Sequence, residues 1–138
     1  MNIHFVVAAF LAVAVAATHS ILGERWVFRR MRQQGFIPTN GGNVLREPHV
    51  RILWASWHLL SVLGLALATC LFVLAASSLP RGPVLVVGSA IAGSMFIGSV
   101  LVFVGTRAKH LGWLGLLLVS VFTLLGMFTY AGSFQIAA

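Results

Sequence analysis

Four stretches of this chain carry no formal charge: residues 1–23, 52–80, 82–106 and 110–138 contain no Asp, Glu, Lys or Arg. Each is longer than the roughly 20 apolar residues that carry an α-helix across a bilayer. In lipid the backbone must satisfy its own hydrogen bonds, which leaves helices or a closed barrel. Barrel strands alternate polar and apolar residues, and these stretches do not. The expected fold is therefore all-α, a polytopic membrane protein built as an antiparallel bundle of four transmembrane helices. The 138 residues form a single domain in this reading, with helices near 3–34, 48–76, 84–105 and 110–134. Ala14-Val15-Ala16 offers a small-residue cleavage site, but no basic residue precedes the first apolar run, so that run is read as a span.

The charges that do occur are placed unevenly. Arg25, Arg29, Arg30, Arg32, Arg46 and Arg51 lie in or beside the first connection, Arg107 and Lys109 beside the third, and only Arg81 in the second. The positive-inside rule accounts for this pattern and for the net charge of +7 without nucleic acid as a partner. Connections one and three face the cytoplasm on that rule, and both termini lie on the outer side. The single cysteine, Cys70, excludes an intrachain disulfide and reads as a small packed residue.

Along the chain, helix 1 is expected to run past the membrane to a C-cap at Gly35, with Arg25, Arg29 and Arg32 along one face touching anionic headgroups or, in the alternative, forming a dedicated anionic-ligand site. Pro38-Thr39-Asn40-Gly41-Gly42-Asn43 predicts an irregular loop, and Pro48 suits the first turn of helix 2. Trp54 and Trp57 suit the headgroup level. On helix 3, Ala90, Ser94 and Gly98 recur every four residues, a spacing that lets helix backbones approach closely in lipid. A neighbouring helix of the same chain is the preferred occupant of that face. A partner protein or a second copy is the alternative. Ser120, Thr123, Met127 and Tyr130 give helix 4 a mildly polar stripe suited to helix–helix hydrogen bonds.

Depth brings the polar groups together. His19 precedes Arg25 by six residues and His58 follows Arg51 by seven. At a helical rise of about 1.5 Å per residue, both lie at matched depth inside the cytoplasmic boundary on antiparallel helices. His110 and Glu24 sit at that boundary, His49 is solvated, and His4 belongs to the opposite face. Imidazoles on separate helices with a carboxylate are the donors a metal site needs. The expected ligands are thus His19, His58, His110 and Glu24, for zinc, iron or copper. His19 and Glu24 lie about 140° apart around a helix, so both face inward only if Gly23 lets the helix bend, and Glu24 is otherwise an orienting partner. A second version is haem b, clamped axially by His19 and His58 with Arg25 and Arg51 on the propionates. Catalysis finds less support. There are no paired carboxylates within the spans and no G-x-S-x-G or H-E-x-x-H. A serine nucleophile served by a histidine would need Ser20, Ser56 or Ser61, each read as helix packing.

His19-Ser20-Ile21-Leu22-Gly23-Glu24-Arg25, Trp57-His58-Leu59-Leu60-Ser61 and His110-Leu111-Gly112-Trp113 resemble the H-S-x-x-G-E-R, W-H-x-x-S and H-x-x-W pattern of a group of small bacterial four-helix membrane proteins without an assigned activity. The likeness implies a bacterial inner-membrane home, in which the charge pattern makes both termini periplasmic, and it implies that these three histidines and Glu24 belong together. Length and a basic first connection are shared with the four-helix membrane glutathione-transferase-like family. That family's Glu/Asn/Arg pattern on helix 2 is absent here. The functional expectation is metal handling or electron transfer at a histidine site. The alternatives are a non-catalytic membrane partner docking through helix 3, and a small transporter. The last is weakened because helices 2 and 3 lack matched interruptions.

Overall fold

In a computed structural model the chain is an all-α helical bundle, and four of its helices are long and apolar enough to cross a membrane. The structure describes residues 1–33 and 35–135, with side chains described as far as residue 130. The elements are α1 (Ile3–Leu22), a π-helical turn (Gly23–Val27), a 3-10 turn (Phe28–Met31), α2 (Glu47–Ala76), α3 (Arg81–Gly105) and α4 (Gly112–Gln135). Among the described residues the only β-pairing is an isolated bridge between Gly41 and Leu45, inside the expected loop.

Three boundaries differ from expectation for local reasons. Helix 1 does not continue as one α-helix past Leu22: it widens into the π turn at Gly23, tightens into the 3-10 turn, and extends at Arg32, while its expected end, Gln34, lies outside the described residues. The carbonyl of Met31 then accepts the N–H groups of Thr39 and Asn40 at 3.1 and 2.9 Å, which folds the loop back on the helix end. α3 begins at Arg81, ahead of Pro83, because a proline in the first turn withholds a donor the helix does not use there. α4 begins two residues late because His110 Nδ1 accepts the N–H of Gly112 at 3.0 Å, forming a tight turn outside the helix.

The chain divides into two compact units, Met1–Val15 with Leu65–Ala138, and Ala16–Gly64. In the first, Asn2 caps α1 by accepting from the N–H of His4 and of Phe5. Its core gathers Phe5, Ala8, Ala9, Ala12, Leu71, Val84, Ile91 and Val119. Phe5 lies where a Cβ on Gly126 would stand, so that glycine sets how closely α1 and α4 approach. α3 and α4 form an antiparallel hairpin tied by Ser99 Oγ donating to Trp113 O and Ser120 Oγ donating to Ala92 O, both at 2.8 Å. The buried face of α3 is Val84, Gly88, Ile91, Ala92 and Ser99. Ala90 and Ser94 are exposed, and Gly98 faces Leu116. The small-residue face expected to receive a neighbouring helix is thus largely the outer face, because Gly88 and Ala92 carry the same four-residue spacing and the hairpin buries that pair instead. Large apolar side chains such as Phe96, Leu101 and Phe128 also point outward, as lipid contact requires.

The second unit, Ala16–Gly64, joins the end of α1, both turns, the loop and the first part of α2. Ala16 packs on Gly64, and Phe28 is fully buried as a wedge, with Pro38 and Val50 also inside. The candidate site lies wholly in this unit.

Candidate functional site

Trp54, Trp57, His58 and Ser61 follow the i, i+3, i+4, i+7 spacing that sets side chains on one helix face, and the end of α1 packs antiparallel against the first three of them. Trp57 fills the space between the two helices. Its indole N–H donates to the carbonyl of His19 at 3.0 Å, and its ring stacks on the His19 imidazole with centroids 4.4 Å apart and planes 8° from parallel. A Cβ on Gly23 would overlap the same indole. Glycine at 23 therefore permits the contact, and the helix widens into the π turn at that residue. Phe28, brought inward by the next turn, meets Trp57 edge-on at 5.6 Å and His58 at 5.9 Å.

Next to Trp57 on α2, His58 lies between Ser20 of α1 and Glu24 of the π turn. Ser20 Oγ is 2.6 Å from His58 Nδ1, and Glu24 Oε2 is 3.6 Å from His58 Nε2. Ser20 and Glu24 are four residues apart and share a face, so one imidazole spans both. The carboxylate is anchored in turn: Arg32 Nη1 lies 2.5 Å from Oε1, and the Trp54 indole N–H donates to Oε2 at 3.4 Å. Arg32 is held from behind, donating through Nε to Phe36 O at 2.6 Å and stacking 5.2 Å over the Phe36 ring, which meets Trp54 edge-on. The resulting order is hydroxyl, imidazole, carboxylate, guanidinium.

These groups line a cleft of about 720 Å³. Ser20, Glu24 and His58 supply its polar wall, Ile21, Trp54 and Phe36 its apolar walls, and Arg25 and Arg32 its cationic side. The side chains of His58, Glu24 and Arg32 are 26%, 30% and 24% exposed, so the polar wall is half-buried yet reachable.

The structure brings together some of the residues expected from sequence and leaves others apart. His58 and Glu24 meet. His19 stacks on Trp57, and His110 is exposed with Nδ1 engaged by its own turn. Among the described residues no group of three His, Cys, Asp or Glu side chains is arranged to hold a metal ion. Both His58 nitrogens face protein groups, so an iron porphyrin would have to displace one of them. Arg51 is exposed and paired with Glu47, Nη2 to Oε1 at 2.6 Å, and does not line the cleft, whereas Arg25 does. His49 is exposed, and His4 stacks on Phe122 in the first unit. Of the three candidate serines, Ser20 alone bonds a histidine. Ser56 returns its hydroxyl to Leu53 O, and Ser61 is buried with an Oγ that makes no hydrogen bond. Sequence reasoning placed Arg32 on a headgroup-facing stripe and missed Phe36; the two lie eight and twelve residues beyond Glu24 and reach the cleft because the helix tightens and then ends at Arg32. Compared with family models, curated proteins and solved structures, the chain matches none.

Proposed function

We propose that Ser20, His58 and Glu24 form an acyl-transfer site that cleaves esters of membrane-dissolved amphiphiles. One observation carries the reading: the Ser20 hydroxyl lies 2.6 Å from an imidazole whose other nitrogen faces an anchored carboxylate. That is the geometry by which a weak nucleophile is activated, with the base oriented by a third group. With Ser20 as donor to Nδ1, the ring hydrogen sits on Nε2 and points at Glu24. The 3.6 Å separation there is the kind that shortens when substrate binds and the ring gains charge.

The chemistry follows from that tautomer. Ser20 Oγ adds to the ester carbonyl carbon as its proton passes to His58 Nδ1. The bond from that carbon to the alcohol oxygen then breaks, and the alcohol leaves with the proton. Water adds to the acyl carbon while Nδ1 takes its proton, the bond to Ser20 breaks, a carboxylic acid departs, and the proton returns to Ser20 Oγ. Glu24 is a positioning residue that stabilises the charged ring, and Arg32 keeps it in place. Ile21, Trp54 and Phe36 supply the apolar walls an acyl chain needs.

The orientation that goes with this reading is a bacterial inner membrane with the first and third connections in the cytoplasm and both termini periplasmic, supported by eight of the nine basic residues. The site then lies near the inner leaflet.

A fluorophosphonate, which phosphonylates activated serines, tests the proposal on purified protein. Wild type should be labelled at Ser20, and Ser20→Ala should abolish labelling while Ser56→Ala does not. His58→Gln and Glu24→Gln should each slow labelling by about a hundredfold. Folded wild type that takes no label, or takes it elsewhere, overturns the proposal. The facing Nε2 and Oε2 atoms favour one second reading, a zinc, iron or copper ion shared by His58 and Glu24. Stoichiometric metal in an unlabelled wild type, lost in His58→Gln, would support it.

A further inference from the structure

Arg25 is the cation in this cleft that no described carboxylate pairs with. Arg32 is committed to Glu24 and Phe36, and Arg51, outside the cleft, to Glu47. Arg25 is exposed and lines the cleft, and among the described residues no carboxylate lies within ion-pair distance of it. It comes five residues after Ser20, a spacing that in a continuous α-helix turns a side chain well away from its partner's face. The π turn that starts at Gly23 changes that phase and sets Arg25 on the cleft beside Ser20 and Glu24. The nearest negative charge, Glu24, is already offset by Arg32, so an anion at Arg25 meets no uncompensated carboxylate. Beside it, Ile21, Trp54 and Phe36 offer apolar surface rather than further cations.

We infer that the cleft selects lipids with an anionic phosphate headgroup, Arg25 holding the phosphate and the apolar walls holding the upper acyl chain. The inference names the substrate class of the site proposed above and rests on that reading for its catalytic meaning, while its binding claim stands by itself. A guanidinium at the mouth of a cleft binds phosphate through charge-assisted hydrogen bonds that a zwitterionic headgroup, carrying its own cation, satisfies less well.

Trp54 reports occupancy directly. In vesicles of phosphatidylcholine mixed with phosphatidylglycerol, brominated acyl chains are carried by one lipid or the other. Quenching assigned to Trp54 is the difference between wild type and Trp54→Phe. Brominated phosphatidylglycerol should quench Trp54 at about a tenfold lower mole fraction than brominated phosphatidylcholine. Arg25→Gln should bring the two together, and Arg29→Gln, which alters an exposed arginine outside the cleft, should keep them apart. Equal quenching in wild type overturns the inference. So does an equal loss in Arg29→Gln, which would mark general surface charge, or abolition of the difference by millimolar inorganic phosphate, which would mark a soluble anion. Lipid selection without fluorophosphonate labelling would sink the acyl-transfer reading alone. Labelling without selection would sink the lipid inference alone.

Discussion

Hydroxyl groups in apolar helices normally turn back on their own backbone, and here Ser56, Thr69, Ser89, Ser94 and Thr123 each donate to a carbonyl three or four residues earlier. Ser20 instead reaches His58, and that is possible because α1 and α2 approach closely beside it. The approach depends on Gly23. A methyl there would occupy the space of the Trp57 indole, which is already fixed by its bond to His19 O and by the His19 ring. Gly23→Ala must therefore move Trp57, break that bond, or push the helix end away. Overpacking of this kind costs about 1–3 kcal/mol. The variant should melt lower than wild type in the same detergent by that equivalent. It should also lose fluorophosphonate labelling, since His58 sits one residue after the displaced tryptophan. An unchanged melting temperature with normal labelling would show that the contact is not a constraint.

Among the elements, the turns set more of the site than the long helices do. The π turn and the 3-10 turn bring Phe28 and Arg32 back toward α2, where a regular helix would have carried them onward along its axis. The third connection is a second case of local geometry overriding composition. α3 ends with Ala108 N–H donating to Phe103 O and Arg107 N–H to Val104 O, the paired bonds of a Schellman motif. That motif asks for a left-handed residue, usually glycine, yet Arg107 has φ +50° and Ala108 φ +61°. A left-handed conformation costs a residue with a Cβ about 1–2 kcal/mol, part of which glycine returns as greater freedom in the unfolded chain. Ala108→Gly should therefore stabilise the protein by up to about 1 kcal/mol, read as a higher melting temperature in detergent. A lower one would show that the left-handed turn carries no strain. Arg107→Gly is the less clean test, since it also removes one of the charges that set orientation.

For the whole molecule, what could be read from sequence follows from what is one-dimensional. Exclusion of charge from hydrocarbon acts residue by residue, so the four spans were legible without any contact map. That the end of α1 and His58 lie at one level was legible too, because depth along a helix can be counted. Glu24, counted to the boundary, instead reaches His58 from the π turn. Rotation about the helix axis could not be counted through Gly23, so Arg32 was set on the headgroup-facing stripe, Phe36 was missed, and Ser20 could not be separated from Ser56 or Ser61. On α3 two faces carry the same small-residue spacing, and spacing alone could not choose between them. Orientation is again one-dimensional, and it yields a test that needs no knowledge of the site. In a Cys70→Ser background, single cysteines are placed at Val44 in the first connection, 87% exposed, and at Ser78 in the second, also exposed. With the first connection in the cytoplasm, a membrane-impermeant maleimide added to intact bacterial spheroplasts should label position 78 and spare position 44 until the membrane is permeabilised. The reverse pattern would put the Ser20–His58–Glu24 cleft at the outer leaflet, and its substrate would then have to come from lipids facing the periplasm.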